Sequence, residues 1–157
     1  MTDEPEVDLF TLRRMIEHLP NGNDLTLIVL KGHLLIEERL LDLVRLRLGS
    51  DDATLNEARL RFSQLVPLAR AASGRPGYPW FWRALQKLNS LRNDLAHHLE
   101  PKQVERLSAE LVAQLEPYAG VASLGAPDVQ LRGAIAYMYG VLMAFKSPRP
   151  LPPDGAV

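Results

Sequence analysis

The sequence predicts an all-α protein, a helical bundle of five or six helices that works as a homodimer. Three observations carry the fold class. Apolar residues recur at three- and four-residue spacing and almost nowhere alternate. Helix start and stop residues bracket most of these stretches. Two of the stretches are apolar on more sides than one short chain covers unaided.

The elements follow in order. A short helix is expected over Glu6 to His18, stopped by the turn Pro20-Asn21-Gly22. Asn23 or Asp24 then caps a long helix reaching Leu48, with Gly49 as its C-terminal stop. Thr54-Leu55-Asn56-Glu57 has capping-box spacing and marks a third start. Ser63 opens a further short helix in one reading, because proline is tolerated near a first turn and Pro67 follows closely. The segment from Ser73 to Gly77 reads as a loop. Pro79 suits the first position of a helix reaching about His98, and Pro101 the first position of the next. That next helix carries the stripe Val104, Leu107, Leu111, Leu115 and Tyr118. A small-residue loop, Ala119 to Ala126, precedes a last helix from Pro127 to Phe145. Residues 1–146 thus form a single helical-bundle domain, and 147–157 read as a Pro-rich disordered tail.

The long helix bears two apolar stripes. Leu30, Leu34, Leu41, Val44 and Leu48 form one; Leu25, Ile28, Leu35, Ile36, Leu43 and Leu46 form the other. The last helix carries only Arg132 as a charge between Leu131 and Phe145. One face of these two helices is therefore expected to meet a second subunit across a two-fold axis.

Composition narrows the function. With no cysteine there is no disulfide, thiolate metal site or cysteine nucleophile. The acidic opening from Met1 to Asp8 lacks the features of a signal peptide, and no run approaches the roughly 20 apolar residues that span a bilayer. A cytoplasmic protein without membrane contact is expected. A net charge of −1 argues against tight nonspecific nucleic-acid binding, although Arg59, Arg61, Arg70, Arg75 and Arg83 bias the middle third toward positive charge.

Two charges fall where apolar residues belong. Glu37 lies inside the stripe of Leu30, Leu34 and Leu41. Arg92 lies inside the apolar face formed by Phe81, Ala84, Leu85, Leu88, Leu91 and Leu95. The economical expectation is a structural ion pair between Glu37 and Arg92 across the core, worth roughly 3–5 kcal/mol when one partner is removed.

The same arginine opens the hexapeptide Arg92-Asn93-Asp94-Leu95-Ala96-His97. Arg-Asn-x-x-x-His at a helix end resembles the signature of the HEPN superfamily, and the likeness extends across about Asp24 to Leu115. Arg-Asn-x-x-Ala-His is also similar to the mannitol-operon repressor branch, related in fold but not known for nuclease chemistry. The resemblance implies two helical bundles meeting at a two-fold axis with both motifs in a shared cleft. It implies a metal-independent endoribonuclease, needing no cofactor, as the toxic half of a toxin–antitoxin pair. RNA would be its substrate and a protein antitoxin its partner. The alternative is a non-catalytic regulator or protein-interaction module. In the catalytic reading His97 is the general base, Arg92 stabilises charge on the phosphoryl oxygens, and Asn93 orients the histidine or contacts phosphate. In a continuous helix Arg92 and His97 point about 140° apart, so both reach one cleft only if the helix ends or bends near Ala96.

Weaker signals remain open. His97-His98 are adjacent and diverge on a helix, so a metal site is not expected there. His33 and Glu37, one turn apart, read as an intrahelical contact. Trp80, Phe81 and Trp82, near Arg75 and Tyr78, either stack on bases or open the core face of their helix. Ser147 to Pro153 either stays solvated or docks in a groove as polyproline II.

Overall fold

A computed structural model describes residues 9–49, 52–74, 77–97 and 100–146. The predicted disordered tail over 147–157 lies outside them. The described residues form seven α-helices and no strand: α1 (Leu9–His18), α2 (Leu25–Leu48), α3 (Asp52–Ala58), α4 (Phe62–Ala72), α5 (Pro79–Leu95), α6 (Pro101–Ala119) and α7 (Pro127–Lys146). A 3-10 turn, Val121–Leu124, links α6 to α7. No described helix is long and apolar enough to cross a membrane.

The count exceeds the expected five or six because α3 and α4 are separate. Gln64 Oε1 accepts the Arg61 N–H at 2.8 Å and opens α4 one residue before Ser63. α3 begins two residues before Thr54, at Asp52. The bounds of α2 follow its caps: Asp24 Oδ1 accepts the Leu27 N–H at 3.0 Å, and Gly49 closes it in the left-handed conformation.

α2 is the axis of the bundle, with α7, α4 and α5 packed around it. Its contact with α7 is the closest. A Cβ placed on Gly32 would lie 2.5 Å from Ile135 Cδ1 and 3.0 Å from Cγ2, so any larger residue requires the Ile135 side chain to shift. Of the two stripes on α2, the second supplies most of the core: Ile28, Leu35, Ile36 and Leu43 are buried. From the first, Val44 is buried and Leu41 partly so, while Leu30, Leu34 and Leu48 face solvent. α1 is tied on by polar contacts. Tyr139 Oη donates to the Thr11 carbonyl at 2.9 Å, and the Arg14 guanidinium grips the Glu38 carboxylate at 2.7 and 2.8 Å.

On α6 the stripe Val104, Leu107, Leu111 and Leu115 is buried, but Tyr118 is 47% exposed. It sits in the last turn, where its ring stacks on Trp80.

The Gly32 contact is testable. Gly32→Ala should gain up to about 1 kcal/mol of helix propensity and lose more to overpacking against the fully buried Ile135, for a net loss of about 1–2 kcal/mol in urea denaturation. Adding Ile135→Val, which removes the nearest clashing methyl, should restore part of it; no restoration would place the strain elsewhere.

Candidate functional site

The hexapeptide ends α5. The helix stops at Leu95, three residues before the expected end, and closes in a tight turn: Ala96 N–H donates to Asn93 O at 3.1 Å and His97 N–H to Asp94 O at 3.0 Å. His97 therefore leaves the helix rather than continuing it. Arg92, Asn93 and His97 are all exposed.

Phe81, Ala84, Leu85, Leu88 and Leu91 are buried as expected, yet Arg92 is not. It is exposed, yet near enough to His33 and Glu37 for its charge to act on both. Arg92 Nη1 donates to Asn93 Oδ1 at 3.3 Å. Among the described residues His97 forms no hydrogen bond with either of them.

The expected core ion pair takes a different form. Glu37, half-buried on α2, faces Arg92 across the seam between α2 and α5, but the two form no direct hydrogen bond or ion pair among the described residues. Burial pushes the Glu37 carboxyl above its ordinary value; the Arg92 charge pulls it back only in part, and Glu38 adds to the rise. With Arg92 in water, the penalty of a severed buried pair does not apply.

His33, one turn before Glu37, points into the seam instead of toward that carboxylate. Its Nε2–H donates to Asn89 Oδ1 at 3.1 Å, and its ring stacks on Phe62 of α4 with centroids 4.2 Å apart. It is only 6% exposed. Burial holds its pKa below the usual value; the Asn89 hydrogen bond opposes this and the Arg92 charge reinforces it. His33 and Asn89 thus hold α2, α4 and α5 together beneath the motif. Asn89 was legible in principle as a polar residue one turn before Arg92 and Asn93, on a helix otherwise read for its apolar face.

Beside the seam runs the uncovered face of α2. Leu27, Leu30 and Leu34 are exposed, Leu34 by 53%, and Leu41 is partly exposed. Glu37 stands at the edge of this face nearest Arg92, so the motif borders an aliphatic surface that no helix among the described residues covers.

Compared with models of known protein families, with curated proteins and with solved structures, the chain matches none of them.

The two seam groups give opposite pH responses. His33, with its folded-state pKa depressed, contributes stability that is present above pH 6.5 and lost as the pH falls through its folded value. Glu37, with its folded-state pKa raised, favours folding below its ordinary value of 4.5 and loses that contribution as the pH rises through the raised value. In denaturant titrations across this range, Glu37→Gln should stabilise the protein at neutral pH by less than about 1 kcal/mol. His33→Gln should destabilise it there and remove the decline in stability below pH 6.5. A wild-type acid slope retained in His33→Gln would assign that slope to another group.

Proposed function

We propose that the chain is a metal-independent endoribonuclease of the HEPN type, acting as a homodimer through the leucine face of α2. One observation carries the reading. Arg92, Asn93 and His97 stand exposed together where α5 stops at Leu95, with the uncovered leucines of α2 alongside. The early stop meets the geometric condition that a shared cleft imposes on this motif.

The chemistry needs little from the protein. RNA carries its own nucleophile, the 2′-hydroxyl. His97 takes its proton as the oxygen attacks the adjacent phosphorus. The phosphorus–5′-oxygen bond breaks, and the departing oxygen takes a proton from the two-fold mate of His97, leaving a 2′,3′-cyclic phosphate and a 5′-hydroxyl. Arg92 offsets the negative charge growing on the non-bridging oxygens. Its hydrogen bond to Asn93 fixes the guanidinium at the helix end. An activity of this kind needs restraint in the cell, which fits a toxin held by an antitoxin protein.

A second reading rests on a specific observation. No hydrogen bond links Arg92 to His97 among the described residues, and Arg92 is already engaged by Asn93. A non-catalytic regulator resembling the mannitol-operon repressor would keep the hexapeptide as scaffold and use the leucine face for partner proteins.

Cleavage of end-labelled RNA by the purified protein in EDTA separates the two. The nuclease reading expects cleavage ending in 2′,3′-cyclic phosphate, lost by at least about 100-fold in a folded His97→Ala, the scale of general acid–base catalysis. Wild-type protein inert toward a broad RNA panel would favour the regulator. For assembly, light scattering should give twice the 17.6 kDa chain mass. Leu34→Glu, placing a charge on an exposed position, should yield a folded monomer. A wild-type monomer at micromolar concentration would remove the shared cleft.

A further inference from the structure

Two arginines of the basic middle third stand beside the motif and take no part in the chemistry above. Phe62, the first residue of α4, stacks on His33 with centroids 4.2 Å apart, and His33 Nε2–H donates to Asn89 Oδ1 at 3.1 Å. Asn89 lies one turn before Arg92 and Asn93. A single imidazole thus separates the start of α4 from the last turns of α5. Arg59 and Arg61, in the turn that leads into α4, are both exposed at this end of the seam. Leu55 and Leu60 pack the same turn onto the core and hold it there.

Neither side chain has a local task. Arg61 stands at the N-cap of α4, where a side-chain acceptor is usual, and a guanidinium has none. Gln64 Oε1 closes this end instead, by accepting the Arg61 backbone N–H at 2.8 Å. Arg59 is held at φ 46°, in the left-handed region where glycine or asparagine rests more easily. Strained positions of this kind cluster at functional sites.

Elsewhere the arginines are neutralised. Arg13, Arg14, Arg39, Arg106 and Arg132 each hold a carboxylate. Among the described residues the guanidinium groups of Arg59 and Arg61 hold none, and Glu57, exposed two residues before Arg59, bonds to neither. Arg92 likewise bonds an amide oxygen rather than a carboxylate. Three cations without carboxylates therefore meet at one end of a chain whose net charge is −1. Their geometry suits phosphate, which a guanidinium grips through two parallel N–H donors. We propose that Arg59 and Arg61 bind the phosphates next to the scissile one and so lay a single RNA strand across the seam, onto Arg92 and His97. This rests on the nuclease reading. Phosphate contacts carry no base information, so the two arginines set the position of the strand and not its sequence.

The probe is a short, mixed-sequence RNA strand, 2′-O-methylated throughout and labelled with fluorescein. It lacks the nucleophile, so binding to the full chain is read by anisotropy without cleavage. Affinity should fall with salt between about 50 and 200 mM. Arg59→Gln with Arg61→Gln should weaken binding roughly 10-fold. The same pair should flatten the slope of log affinity against log salt by roughly 1.4, about 0.7 for each phosphate contact. Arg59→Lys with Arg61→Lys returns both charges and should restore the slope with part of the affinity. Arg13→Gln, at an exposed site on α1, should bind as wild type does. Arg59→Gly relaxes the backbone, so binding lost there with undiminished urea stability is not a folding defect. Toward unmethylated RNA the double glutamine variant should raise KM and keep kcat within about 3-fold. Affinity and salt slope equal to wild type in that variant overturn the proposal, as does a loss no greater than in Arg13→Gln. So does polyglutamate that binds as tightly as the RNA and is released by the same variant, because the arginines then meet an acidic protein. RNA held through the two arginines but left uncut in EDTA keeps the binding site and removes the chemistry. RNA cut with an unchanged KM by the double variant keeps the chemistry and removes the site.

Discussion

The rotation of α2 about its own axis governs this structure, and the contact of Gly32 with Ile135 sets it. A helix packed at ordinary distance can roll by tens of degrees, since neighbouring ridges offer similar grooves. One whose backbone is pressed against a buried isoleucine has far less freedom to roll. With Gly32 fixed on α7, the 100° step per residue places everything after it. His33 turns toward α4 and α5, Leu34 points nearly the opposite way from α7, and Glu37 falls at the border between them. The seam and the leucine face are two consequences of one close approach.

The seam then shows how one exposed cation organises two partly or wholly buried groups. Arg92 lies near both His33 and Glu37 and bonds directly to neither. Its field disfavours a proton on the histidine and favours loss of one from the carboxyl. For His33 that effect adds to burial, and together they outweigh the Asn89 hydrogen bond, which favours the proton. For Glu37 it opposes burial and loses. A direct Glu37–Arg92 pair would have to draw the guanidinium out of water into the interface, and desolvation at such a site often exceeds the Coulombic gain. Arg92 instead stays exposed and acts on both groups through its charge alone.

Much of the fold was legible because its punctuation is local. Asp24, Gly49, Pro79, Pro101 and Pro127 act through their own backbone or the next turn, and helix bounds fall on them. The apolar character of both stripes on α2 was equally legible. Which stripe would be buried was not, since both have helical spacing and the choice depends on where α7 lands. The site was legible as residues and illegible as an arrangement. Arg92 sits by angle in the apolar face, and angle alone does not say that a six-atom side chain reaches water. His33 and Glu37, one turn apart, looked like mutual partners; the packing of Phe62 and Asn89, distant in sequence, separates them. Tyr118 fits its stripe by spacing and leaves the core because α6 ends there.

The two uncovered apolar surfaces lie on opposite sides of the α2–α7 pair for the same geometric reason. Leu34 follows Gly32 by two residues and Tyr137 follows Ile135 by two, so each points about 200° away from the shared contact. They differ in what they ask of whatever covers them. Leucine side chains have no hydrogen bonds to satisfy, so the α2 face can close on an identical copy across a two-fold axis at no polar cost. The aromatic side chains on the other side, Tyr78, Trp80 and Tyr118, carry hydroxyls and an indole N–H that must find acceptors once water is excluded. The two faces therefore ask different things of whatever covers them, apolar contact alone on one side and apolar contact with acceptors on the other.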